Sequence, residues 1–167
     1  MSQFTKILVV SPYADGRTWY LREEFGYDVG AEGGAESIVV PVQFTTDFAS
    51  VPRIFWVFLP RWGKYGNAAV IHDWLYYDKK IAGNPIERKR ADDVFLEAMG
   101  VLNVVDWQKT ALYYGVRWFG WLAWYLVDRR VRAGFSKIAK AAPAKSTDLP
   151  THWRIGPKDW IKVFFET

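Results

Sequence analysis

Ala68-Ala69-Val70-Ile71-His72-Asp73-Trp74-Leu75-Tyr76-Tyr77-Asp78 reads as a buried helix carrying a polar pair where apolar residues belong. Ala68, Ala69, Val70, Ile71, Trp74 and Leu75 are core material. His72 and Asp73 interrupt them, and Tyr76 follows four residues after the histidine, on the same helical face. A buried ionisable pair costs free energy unless partners satisfy it. The rest of the chain must therefore bring something to His72 and Asp73.

The next helical pattern supplies a partner. Gly83-Asn84-Pro85 marks a turn, and a helix is expected from about Ile86 to Leu102, with Ala91, Val94, Phe95, Ala98 and Leu102 in helical period. Asp92 shares a face with Phe95, Leu96 and Met99 and should point inward, whereas Asp93 should be solvated. Helix, turn and returning helix place Asp92 opposite His72, within about 2.6–3.2 Å. A carboxylate on one imidazole nitrogen fixes the tautomer and leaves the other nitrogen as a base.

Upstream lies strand material. Lys6 to Pro12, Arg17 to Phe25 and Ser37 to Phe44 are three strand candidates, the last with Pro41 at an edge or a bulge. The connector that follows carries Asp47, Ser50 and Arg53, which are expected to pack over the first half of the His72 helix as supporting residues. A Ser50–His72 nucleophile is disfavoured, because no Gly-x-Ser-x-Gly turn surrounds Ser50. Asn67 is the expected N-cap of the central helix. A third helix runs from Asp106 to about Lys140 through Trp107, Tyr114, Trp118, Trp121 and Tyr125. The expected fold is thus α+β, a small N-terminal antiparallel β-sheet followed by an antiparallel helical layer with a long Trp-rich third helix. Residues 1–140 are expected to form a single domain, and 141–167 a linker with a C-terminal segment that folds back.

Composition narrows the chemistry. Cysteine is absent, which excludes disulfides and thiolate metal sites, and two histidines are too few for a multi-histidine metal centre. A carboxylate-rich calcium or magnesium site using Asp73 and a loop carbonyl stays open. The net charge of +4 permits an anionic partner without demanding one, and no specific nucleic-acid signal is present. The N-terminus lacks a signal-peptide pattern. Ten uncharged residues separate Arg117 from Asp128, short of the ~20 that a membrane span requires. The Trp-rich stretch 107–125 is therefore expected to pack on the protein itself or to dock on a membrane surface or a partner.

Two resemblances follow from these motifs. Thr46-Asp-Phe-Ala-Ser-Val-Pro-Arg53, Ala69-Val-Ile-His-Asp-Trp-Leu-Tyr76 and Arg90-Ala-Asp-Asp-Val-Phe-Leu-Glu-Ala-Met99 resemble the phage and prophage family catalogued as domain of unknown function 1353, over about residues 38–120. That resemblance implies a phage or prophage origin, a location in the infected host cytoplasm or the virion, and a phage structural or host protein as partner. A more distant resemblance is to phospholipase A2 of the parvoviral type, in its His-Asp-x-x-Tyr helix and following Ala-Asp helix. It implies a hydrolase of lipid esters with His72 as base, Asp92 and Tyr76 supporting it, and Asp73 as a calcium ligand. This sequence departs from that family in its glycines, since Gly63 and Gly66 lie close to His72 rather than well upstream. The alternative is a virion component or host-interaction protein in which His72, Asp73 and Asp92 form a buried structural network.

Overall fold

The computed structural model describes residues 1–13, 18–30, 36–46 and 63–138. Asp47, Ser50 and Arg53, and the segment 141–167, lie outside the described residues.

The N-terminal third forms two three-stranded antiparallel sheets, where the sequence suggested one. The first has the order β1 (Gln3–Phe4), β4 (Phe25–Asp28), β5 (Ser37–Val40). The second has the order β2 (Val10–Pro12), β3 (Trp19–Leu21), β6 (Thr45–Thr46). Each of the expected long strands is divided. Lys6 to Val9 stay outside the ladders, and the run from Arg17 to Phe25 breaks at the exposed residues Arg22, Glu23 and Glu24, so its two ends serve different sheets. Pro41 ends β5, as its missing N–H dictates, and Gln43 in the left-handed region (φ 67°) turns the chain into β6. β5 alternates, with Ile38 and Val40 buried and Val39 exposed. All four residues of β4 are buried. Phe25, Tyr27, Ile38 and Val40 thereby form the sheet side of the core, against which α1 packs through β5.

Among the described residues three helices follow: α1 (Gly66–Asp78), α2 (Arg88–Val101) and α3 (Asp106–Arg132). The N-cap of α1 is Tyr65 rather than Asn67, and no side chain caps it; the helix starts off a tight turn in which Gly66 N–H donates to the Gly63 carbonyl at 3.0 Å. Between α1 and α2 the expected turn is a miniature hairpin, β7 (Lys80–Ile81) paired with β8 (Asn84–Pro85). Ala82 and Gly83 both have positive φ, 47° and 81°, the signature of a two-residue type I′ turn. Contacts fix the helix directions. Lys79 meets Ile86 at one end and His72 meets Asp92 further along, so α1 and α2 are antiparallel. Arg88 reaches Arg117 and Asp93 reaches Tyr113, so α2 and α3 are antiparallel as well.

The helix ends have local causes. After α2, Asn103 (φ 50°) takes the left-handed position, and Val104 and Asn103 donate to the Met99 and Gly100 carbonyls. After α3, Gly134 (φ 84°) does the same, with Phe135 and Gly134 donating to Arg130 and Val131. Both are Schellman closures, which satisfy carbonyls that a continuing helix would use. This is why α3 stops at Arg132 and does not run to Lys140. The chain then returns to the sheets, where Thr45 N–H donates to the Lys137 carbonyl at 2.8 Å.

Candidate functional site

His72 and Asp73 occupy adjacent positions in the middle of α1, and both are buried. They turn to different neighbours, as consecutive helical residues must. His72 faces α2. Its Nε2 lies 3.0 Å from Asp92 Oδ1, with the histidine 1% exposed and Asp92 fully buried. The expected spacing across the turn is therefore met. Tyr76, one turn on from His72, donates its hydroxyl to the same Oδ1 at 2.6 Å. The imidazole is held between the rings of Tyr76 and Phe95, with centroids at 4.2 and 4.8 Å.

The second oxygen of Asp92 carries two guanidinium groups that the sequence reading did not assign. Arg88 Nη1 donates to Oδ2 at 3.2 Å from one turn earlier on α2, and Arg117 Nη1 donates at 2.7 Å from α3. The same Arg88 nitrogen also donates to the Val116 and Arg117 carbonyls, at 3.2 and 3.0 Å. Signals for both were present in the sequence. Arg88 stands four residues before Asp92, the spacing of a helical ion pair. Arg117 is the sole charge between Lys109 and Asp128 in the third helix, where an isolated cation asks for a buried anion.

These contacts set the electrostatics. Burial pushes the Asp92 carboxyl up, but the hydrogen bonds from His72, Tyr76 and Arg117 outweigh it and hold the group below its ordinary 3.8. Asp92 is thus an anion that accepts from every neighbour. Burial and the facing carboxylate push the Tyr76 hydroxyl far above its usual range, which keeps it a donor. Against a carboxylate, the imidazole of His72 presents Nε2–H.

Asp73 turns the other way, toward β6. Its Oδ2 accepts from the Thr46 hydroxyl at 2.5 Å, and the aspartate is 3% exposed. Among the described residues no group of three or more histidine or carboxylate side chains comes together to hold a metal ion. Thr46 immediately precedes the connector that carries Asp47, Ser50 and Arg53, and the described chain resumes at Gly63, just before α1. Asp93, expected in solvent, is half-buried instead. It accepts from Lys89 at 2.6 Å and from Tyr113 at 2.9 Å, which ties it to α3.

α3 seats against this centre through a small residue. A Cβ at Gly120 would stand 2.3 Å from the Tyr76 hydroxyl oxygen, closer than atoms tolerate. The glycine lets α3 lie directly over the tyrosine that supports Asp92.

No curated protein and no solved structure matches the chain. One family model does, over residues 19–116. The matched segment runs from β3 to the residue before Arg117 and contains His72, Asp73, Tyr76, Arg88 and Asp92. It spans more than half of the sequence, and the chain belongs to the family described as Protein of unknown function (DUF1353).

Proposed function

We propose that this protein, of phage or prophage origin, is a hydrolase of lipid esters with His72 as its general base. One observation supports the reading: His72 Nε2 lies 3.0 Å from Asp92 Oδ1, and Tyr76 donates to the same oxygen, so the ring is held from one side by a buried carboxylate on an antiparallel helix. The same arrangement, a His-Asp-x-x-Tyr helix facing an aspartate on an antiparallel helix, is what the resemblance to phospholipase A2 rests on.

The chemistry needs one water and one ester. Nδ1 takes a proton from the water as its oxygen adds to the ester carbonyl. The tetrahedral intermediate then collapses, the bond to the alcohol oxygen breaks, and the proton on the imidazole passes to the departing alkoxide. Asp92 keeps the ring in the productive tautomer and stabilises the imidazolium while the proton resides there. Arg88, Arg117 and Tyr76 position Asp92 and touch no reacting atom in this scheme. No step runs through calcium.

A second reading is favoured by a specific observation, the burial of His72 and Asp92. In it the network is structural, and the protein is a virion component or a host-interaction protein. The two separate in one experiment. Wild type and His72→Gln are screened on phospholipid and short-chain ester substrates, alongside thermal melts. Glutamine retains a donor toward Asp92 but removes the base, so hydrolysis should be lost while the melting temperature stays close to wild type. An inactive wild type together with a strongly destabilised His72→Gln would overturn the hydrolase reading in favour of the structural one.

A further inference from the structure

The outward face of α3 is aromatic. Trp107, Tyr114, Trp118, Trp121 and Tyr125 are 57%, 49%, 66%, 45% and 52% exposed. At 100° per residue these five fall within about 60° of arc, in a stripe about 27 Å long. The opposite face, with Leu112, Val116, Gly120 and Val127, is the one that enters the core. Five large rings stand on the solvent side of a helix whose core side is already filled, and among the described residues they are not part of the core.

We propose that this stripe is the surface by which the protein lies on an anionic lipid membrane. Three features select lipid over a second copy of the chain or another protein. First, the rings are Trp and Tyr, which combine an apolar body with a polar edge and favour the headgroup level of a bilayer. Second, the stripe parallels the helix axis, so the helix would lie flat in the interface; among the described residues no helix is long and apolar enough to cross a membrane. Third, the charges along it are complementary to an anionic surface. Its two acidic neighbours are already neutralised, Asp106 by Lys109 at 2.8 Å and Asp128 by Lys79 at 2.5 Å. The exposed Arg129 and Arg132 continue the stripe past Tyr125 and form no ion pair among the described residues. Rings that enter the interface and guanidinium groups that meet phosphate would therefore act along one line.

The docking needs no catalysis, so its failure and that of the hydrolase reading are distinguishable. The full chain is sedimented with vesicles of phosphatidylglycerol and phosphatidylcholine in equal parts, and with vesicles of phosphatidylcholine alone. Tryptophan emission is followed in parallel, and wild type and variants are sized by sedimentation equilibrium. The expected result is binding to the anionic vesicles with a blue shift. Binding should weaken at least about tenfold in Trp118→Ser/Trp121→Ser, since two indoles then stay in water. Arg129→Gln/Arg132→Gln should bind the anionic vesicles several-fold less, and raised salt should weaken wild-type binding. His72→Gln should bind as wild type does. Both tryptophans are exposed, so the double variant should melt with the wild type. Three results would overturn the proposal: no binding to anionic vesicles, equal binding by the tryptophan variant, or a stable wild-type dimer that this variant splits. The last would assign the stripe to a second copy of the chain.

Discussion

Asp92 and Trp118 stand on facing helices, and each is where its chemistry least belongs. The carboxylate is fully buried, whereas the indole is 66% exposed. The difference lies in what answers each anomaly. Around Asp92 the fold supplies four donors from three helices, namely His72, Tyr76, Arg88 and Arg117. Around Trp118 it supplies a ring contact with Tyr114, at 5.8 Å between centroids. A buried charge that is fully met can be explained from inside the molecule. The exposed aromatic row is not completed by the described residues, and the membrane docking proposed above would complete it. The lesson is to ask of each departure from the usual distribution of polarity whether the fold itself completes it.

The sharpest way to break that contrast is to remove the inner anion. Asp92→Ala leaves two guanidinium groups, a ring N–H and a phenol without their common acceptor. It should destabilise the protein by about 3–5 kcal/mol, read as a lower denaturant midpoint. A loss under about 1 kcal/mol would mean that water or neighbouring groups replace the carboxylate and that the centre is not sealed. The seat between the two regions is tested next. Gly120→Ala forces a methyl against the Tyr76 hydroxyl and should cost about 1–3 kcal/mol through overpacking. An unchanged melt would show that α3 can shift outward without loss, which would weaken the link between the centre and the aromatic face.

Acid provides a gentler probe. The folded value of Asp92 is lowered below 3.8. The unfolded chain therefore takes up the proton first as pH falls. The contribution of Asp92 is fully present above its unfolded value, and it is lost as pH drops through the lowered folded one. The melting temperature of the wild type should fall more steeply below about pH 4 than that of Asp92→Asn, which has no carboxylate there to titrate. Parallel slopes would show that other carboxylates govern the acid limit, with Asp93 and Asp106, also lowered, as the next to test.

The helical layer was far more legible in the sequence than the sheets. α1, α2 and the start of α3 follow from periodicity, and the twenty-residue step from His72 to Asp92 is enough to bring the two together. The strands are two to four residues long, too short for an alternation to stand out, so one sheet was expected where two formed. Gln3–Phe4 pairs with Tyr27 and Asp28 through its backbone, which leaves no mark on its side chains. The end of α3 was overestimated because Gly134 was not weighed as a helix stop, although a glycine there permits the left-handed closure. At the site, Arg117 was missed for a different reason. Its acceptor lies 25 residues away on another helix, and only the packing of α3 on α2 brings them within 2.7 Å. The bond from Thr46 to Asp73 likewise joins a strand to a helix across 27 residues.

That one carboxylate receives bonds from all three helices also bears on how the molecule opens. Departure of α2 would strand donors on α1 and α3, and departure of either neighbour would strip its own donors from Asp92, so α1, α2 and α3 should breathe as one unit rather than fray in turn. Slow amide exchange would then be shared by residues around His72, Asp92 and Arg117 at a common rate. The β7–β8 hairpin, held by two short pairs at the edge of this unit, would exchange faster and independently.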